Sequence, residues 1–407
     1  MIEYSKPAER LAGFRAFIPA HDFKLCLKLF GSLVIIKRVN YKMKVGGNMT
    51  LKLREKCKYG IAVPTSMGVR ITPQNSAPVH SSGVYNMQAT SAETNACNIA
   101  SSLGIKCLAL TNFVQDSPIS YFIKSELRRR NIDYLGPDMP QGGPWGYRHQ
   151  FNIADSGYGA RGPRVHNDRA GEVGRVLNSE NFDFGKIFVD DGVGILHLSG
   201  LVGALSPETT RFCIETARAA KENGSLISFD LNYRASFWKD REDELRKSFT
   251  EIAGMADILV GNEEDYQLCF GITGPREGGE DLTAQLRVFK EMIGRAREVF
   301  PNVKVFGNTL RQVVSANEHI WGAITLFGDF WTVIEPRPIR VLDRIGGGDA
   351  FTGGLLYGIL TGMEAEKATQ FAWASGALAT TVLEDYATPA DEDMVWSIYE
   401  GNARVKR

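Results

Sequence analysis

From about Lys58 onward, short apolar runs alternate with longer segments whose apolar residues recur at helical spacing. Residues 96–103 have the small and apolar spacing of a packed helix, and residues 107–110 follow as a strand. Residues 118–130 are helical again. Ser117 is placed to cap them, Pro118 suits a first turn, and the basic end suits a helix C-terminus. Further on, the pattern predicts strands over 195–199, 226–230, 258–261 and 303–307, with helices over 207–223, 242–255, 264–270 and 282–299. A last helix begins near Glu366 and carries Ala368, Phe371, Ala372, Ser375, Leu378, Ala379 and Val382 on one face, a stripe built for close packing. Such alternation predicts β-α units, hence an α/β fold with a mostly parallel central sheet and helices on both faces.

Two stretches, about 69–88 and 146–169, interrupt this rhythm. Both are polar, rich in Gly and Pro, and hold short β-like runs with no helix between them. They are expected to leave the main sheet as antiparallel excursions.

Composition narrows the reading further. The chain has 407 residues, 43% hydrophobic and 23% charged, which describes a folded chain of ~two or three domain-equivalents or one large α/β unit with additions. Its 47 Lys and Arg residues balance 47 Asp and Glu residues, so no net field draws it to nucleic acid or membrane. Residues 1–48 carry nine basic and three acidic residues, a net +6 that the remaining chain offsets. Their longest apolar run, 29–36, is far short of the ~20 residues that span a bilayer. No small-residue cleavage site follows it, which argues against a secretory signal. Gly46-Gly47-Asn48 before Met49 can be encoded by a purine-rich stretch that resembles a ribosome-binding site, so translation is expected to start at Met49. Residues 1–56 are accordingly expected to form an extension to a folded domain over 57–400.

The six cysteines (Cys26, Cys57, Cys97, Cys107, Cys213, Cys269) contain no C-x-x-C pair and are expected to be reduced thiols in a cytoplasmic protein. The six histidines are scattered without H-E-x-x-H, so no catalytic metal held by protein ligands alone is expected.

Gly157-Tyr-Gly-Ala-Arg-Gly162 fits G-x-G-x-x-G, but no strand precedes it and Pro163 follows, so it is expected to be a turn. Asp183-Phe184-Gly185 lacks an upstream H-R-D and is expected to be a loop. No G-x-x-x-x-G-K-[ST] occurs. The segment that carries chemistry is Asp343-Arg-Ile-Gly346-Gly347-Gly348-Asp349, which follows a β-rich stretch and opens a helix. Successive glycines let the backbone approach a ligand and present consecutive N–H groups, which at a helix start form an anion site. Asp349 inside such a site suits a base that takes a proton from an attacking hydroxyl. A glycine-rich turn with Asp349 as a helix cap is the plainer alternative.

This segment resembles the C-terminal signature, D-x-x-G-[AG]-G-D, of the ribokinase-like (PfkB) sugar kinases. Asn262-Glu263-Glu264-Asp265 is similar to that family's N-x-x-E magnesium motif, with Asp in the last place. Within the family, His197–Pro207, Ser228–Arg234 and Gly261–Gly271 look most like 2-keto-3-deoxygluconate kinases. The resemblance implies a three-layer ribokinase-like fold with a small β-sheet lid made of 69–88 and 146–169. It implies ATP-dependent phosphorylation of a sugar-acid hydroxyl, with Asp349 as base and the amides of Gly346, Gly347 and Gly348 as anion hole. Substrate would meet Asn95, Tyr147, Arg169, Asn232 and Arg234, and ATP would lie near Thr309, Arg311, Gly346 and Gly348. Mg²⁺ would accompany ATP, reached from Asn262 and Asp265 through water. A homodimer through the lid is a further implication, with no nucleic-acid or membrane partner. The chain departs from the family at Thr90-Ser91, where Gly-Gly is usual, and at Asn167, where the sugar-acid kinases often have Tyr. Rival readings are a kinase for a neutral sugar or a nucleoside, and a binding regulator that keeps the pocket without turnover.

Overall fold

A computed structural model describes residues 51–275 and 282–401. The basic segment 1–48 and the expected start at Met49 lie outside the described residues.

The strands, in chain order, are β1 Tyr59–Pro64, β2 Gly68–Pro73, β3 Tyr85–Thr90, β4 Cys107–Leu110, β5 Phe113–Val114, β6 Ile132–Leu135, β7 Asp138–Met139 and β8 Gln150–Asp155. They continue with β9 Arg164–Asp168, β10 Val193–Ser199, β11 Leu226–Asp230, β12 Ile258–Val260, β13 Val305–Ser315, β14 Glu318–Phe327 and β15 Phe330–Arg340. The helices are α1 Ala92–Ser102, α2 Pro118–Arg129, α3 Gly200–Gly203, α4 Pro207–Glu222, α5 Ala235–Trp238 and α6 Glu242–Met255. After them come α7 Glu263–Phe270, α8 Leu282–Val299, α9 Gly347–Thr361, α10 Ala365–Ala379 and α11 Glu392–Glu400.

Nine strands form the main sheet in the order β15-β14-β13-β12-β11-β10-β1-β4-β6. Pairings from β6 through β13 are parallel. The inner strands β4, β10 and β12 are buried along their whole length, as a helix-covered parallel sheet requires. Along β1, Ile61 and Val63 belong to one apolar core and Ala62 to the other, so alternate side chains feed opposite layers. One layer contains α1, α9 and α10, the other α4, α6 and α8.

The sheet ends differently from the simple strand expected over 303–307. β13 runs on to Ser315 and pairs with β14 and β15 in an antiparallel meander. Because β12 has only three residues, the far half of β13 projects past it and carries Thr309 and Arg311 beyond the end of β12.

A second sheet of order β3-β2-β8-β9 stands apart from the first. Its two hairpins are antiparallel, but β2 and β8 pair in parallel, so the excursions join into one mixed sheet. A parallel pairing needs a long connection, and the segment between these strands includes α1 and α2. The G-x-G-x-x-G segment turns between β8 and β9, with Tyr158 and Arg161 paired across it. The Asp183-Phe-Gly segment is not simply a loop: residues Gly185–Asp191 wind into a helical turn, and Asp183 Oδ1 accepts the Lys186 N–H at 2.9 Å. Ser117 sits at the N-cap of α2, yet its hydroxyl makes no capping bond.

Candidate active site

The site begins at the N-terminus of α9. Gly346 caps that helix with φ +82°, a left-handed conformation, and a Cβ there would lie 1.8 Å from the Asp385 carbonyl oxygen. Only glycine fits on both counts. The Ala350 N–H is the first to bond back, to Gly346 C=O at 2.8 Å, which leaves the preceding amides for a ligand. Gly348 is exposed, with open space where a Cβ would stand, so these amides can be approached closely. The positive end of a 15-residue helix backs them.

Asp349 follows directly. Its Oδ2 accepts the Asn95 amide at 3.1 Å. The two residues meet because α1 and α9 touch at the backbone: a Cβ on Gly353 would stand 2.3 Å from the Ala96 carbonyl oxygen. Burial pushes the Asp349 carboxyl up to about 8, the Asn95 bond opposes this, and the charges of Asp230 and Asp385 add to it. Asp230, at the C-terminal end of β11, is pushed up to about 7 by burial and by Asp265. Thr352 and the Asn232 N–H bond to its two oxygens.

Around Asp349 lies a cleft of about 700 Å³ between the end of the main sheet and the small sheet. Asn95, Arg169, Asn232, Arg234, Asn262, Asp265, Thr309, Arg311, Gly346, Gly348 and Asp349 all line it. Gly347 does not, being packed toward Trp321 and Thr380. Arg234 stands exposed past the end of β11, where open α/β sheets bind ligands, and donates to the Tyr233 carbonyl at 2.7 Å. Arg169, just beyond β9, is no free loop arginine. Its guanidinium donates to Glu172 at 2.7 Å and lies 5.2 Å from the Phe237 ring centroid. Glu172 is in turn held by Ser66 at 2.5 Å, so the arginine is aimed rather than mobile.

Asn262 and Asp265 meet in a capping box on α7. Asn262 Oδ1 accepts the Asp265 N–H at 2.8 Å, and Asp265 Oδ2 accepts the Asn262 N–H at 2.8 Å. Asp265 Oδ1 accepts the Tyr233 N–H at 3.0 Å, which pins the turn leading to Arg234. Both carboxylate oxygens thus have backbone partners. With Asp230 and Glu263 they still form an acidic, oxygen-only flank of the cleft, the donor chemistry that suits a hard divalent cation through its water shell. Among the described residues, no group of three His, Cys, Asp or Glu is arranged to hold a metal directly.

Like Gly347, Tyr147 is an expected site residue that lies outside the cleft lining. It precedes β8, with its N–H on the Gln141 carbonyl at 2.8 Å, and does not line the cleft. Gln150 and Asn152, on β8, line it instead. Their alternation along a strand is the signal that could have found them. Sequence reasoning also missed Asp230, Phe237, Trp321, Arg344 and Asp385, and it named Thr90 only as a departure from the family pattern. Arg344 lies inside the glycine signature itself, whereas Asp385 comes from a loop with no motif.

No described helix is long and apolar enough to cross a membrane. The family model for pfkB family carbohydrate kinases matches residues 192–299 and 322–391. A 5-dehydro-2-deoxygluconokinase from Clostridium perfringens is 29% identical over 181 residues, 44% of this chain and 47% of that protein. The chain thus spans about half the length of this relative. A 2-dehydro-3-deoxygalactonokinase from Haloferax volcanii is 26% identical over 345 residues, 83% of this chain and 96% of that one. Among solved structures, the 2-dehydro-3-deoxygluconokinase from Thermotoga maritima superimposes with a TM-score of 0.74 at 24% identity, covering 85% of this chain and all of the other. That likeness establishes the ribokinase-like α/β fold. The glycine-cradled carboxylate lies inside the part of the chain that matches the pfkB family carbohydrate kinase model.

Proposed function

We propose that this protein transfers the γ-phosphoryl group of ATP to the primary hydroxyl of a keto-deoxy sugar acid, 2-keto-3-deoxygluconate giving its 6-phosphate. The observation that carries this reading is Asp349 beside the free amides of the α9 N-terminus, in a cleft that also holds Arg169 and Arg234. The sugar-acid names of the relatives support the acceptor class. Arg234 and Arg169 supply permanent cations for the substrate carboxylate. Asn95, Gln150, Asn152 and Asn232 each present a buried side-chain amide oxygen without a partner, acceptors suited to sugar hydroxyls. Lid segments 69–88 and 146–169 close over the sugar and exclude water as a competing acceptor.

Asp349 takes the hydroxyl proton as the oxygen attacks the γ-phosphorus in line; the bond from that phosphorus to the β,γ-bridging oxygen breaks, and ADP leaves with its phosphates toward Thr309, Arg311 and Arg344. The amides at the α9 start stabilise the charge that spreads over the transferred oxygens. Mg²⁺, reached through water from Asn262 and Asp265, would neutralise the phosphates when bound. A panel of sugar acids, fructose, ribose and adenosine, assayed with ATP and Mg²⁺ for ADP release, tests the reading. A keto-deoxy sugar acid should give the highest kcat/KM, and Arg234→Met should selectively reduce that reaction. Faster turnover of a neutral sugar, or no ADP with any acceptor, would remove it.

A further inference from the structure

Asn95 has to present its N–H side to Asp349 and its oxygen to the cleft, yet a carboxamide can turn over by half a rotation at little cost. Something must choose. Thr90 Oγ1 donates to Asp385 Oδ2 at 2.6 Å. The other oxygen of Asp385 is taken by the buried Arg70 guanidinium, which also binds Asp343. A carboxylate therefore faces Thr90 as an acceptor, and the single hydroxyl hydrogen of Thr90 is committed to it. What Thr90 offers on its other side is a lone pair, and the Asn95 Nδ2 lies 3.5 Å from it. The same nitrogen donates to Asp349 Oδ2 at 3.1 Å, and Asn95 Oδ1 is left buried without a partner, on a residue that lines the cleft.

We propose that the Asp385–Thr90 pair is a positioning device that fixes the orientation of the Asn95 carboxamide, so that it donates to the base Asp349 and accepts from a substrate hydroxyl. A flipped amide would put an oxygen against the Asp349 carboxylate and an N–H toward the substrate. The Thr90 hydroxyl is thus placed to reach both Asp385 and Asn95. Arg130 holds the surrounding turn from behind, donating to the carbonyls of Ala89 and Thr94 at 3.3 and 2.7 Å with its guanidinium 3.8 Å from the Tyr386 ring centroid. The device rests on the proposed role of Asp349, and the test separates the two.

The carboxyl titration of Asp349, followed by ¹³C NMR on aspartate-labelled full-length protein and assigned with Asp349→Asn, reads the amide orientation without turnover. Groups facing Asp349 are Asn95 from α1, Asp230 and Arg234 from the end of β11, and Asp385 from the loop after α10. Thr90→Val should raise its midpoint by about one pH unit and cut kcat about tenfold at pH 7, with KM for ATP unchanged; Thr90→Ser should restore both. Thr90→Ala replaces the valine variant should that fail to fold. A lowered Tm with the Asp349 midpoint in place, or a serine variant that behaves like valine, overturns the device. If the wild type phosphorylates no sugar acid, the proposed function falls, while the titration still decides how Asn95 is held.

Discussion

The role proposed for Asp349 makes two demands that conflict. To cradle phosphate, its surroundings are positive amides; to act as base, it must be ionised, yet burial and two neighbouring acids raise its carboxyl to about 8. Free enzyme at neutral pH therefore holds this group mostly protonated, and kcat/KM should climb with pH up to about 8 before levelling. Linkage gives the stability sign. The folded-state value lies above the ordinary 3.8, so the native state binds more protons than the unfolded one between those limits, and stability falls as pH rises through them. Asp349→Asn should lose roughly 10²-fold or more in turnover while retaining nucleotide binding. Its Tm should exceed the wild-type value at pH 8, with the gap closing toward pH 4, as read by calorimetry across that range. A variant with near-normal turnover would remove the assigned base.

At the scale of elements, Asp349 and Asn95 are brought together by what is missing from a helix. Gly353 lets α9 settle against the Ala96 carbonyl of α1, while Gly354 and Gly358 sit close against Ser375 and Ala368 of α10. Gly353→Val should push α1 outward, lose about 1–3 kcal/mol in denaturant unfolding, and lower single-turnover rates as Asn95 leaves Asp349. Unchanged catalysis with lowered stability would show that the contact serves packing alone. The capping box of α7 works similarly at a distance: by holding the Tyr233 N–H, Asp265 sets the turn from which Arg234 emerges.

For the molecule as a whole, the cleft exists only because two sheets face each other across it. The small sheet contributes Gln150, Asn152, Asn167 and, just past its last strand, Arg169; the main sheet contributes Asp230, Thr309 and Arg311. Arg169 reaches the site from the side of the small sheet and is aimed by Glu172 and Phe237. Arg169→Met should therefore raise KM for the sugar acid at least tenfold, the loss of one charge-assisted contact, and leave KM for ATP near its wild-type value. Steady-state kinetics with each substrate varied in turn would check this, and an equal rise in both would place the residue elsewhere in the reaction.

Local information was enough for the parts of this protein that local forces make. The strands at 226–230 and 258–260, the helices α6 and α8, and the glycine turn ahead of Asp349 follow from side-chain periodicity and from conformations that only glycine adopts. Their order along the chain, with the glycine signature, was enough to recognise the fold. The partners of those parts were not legible, because they are set by contacts between residues far apart in the chain. Asp385 meets Thr90 and Arg70 across about three hundred residues. Gln150 and Asn152 face the cleft where Tyr147 was expected, since a strand's facing is decided by its pairing register rather than by residue type. Short-range propensity acts over a turn or a pleat, whereas the shape of the pocket depends on which distant surfaces are pressed together when the apolar layers close.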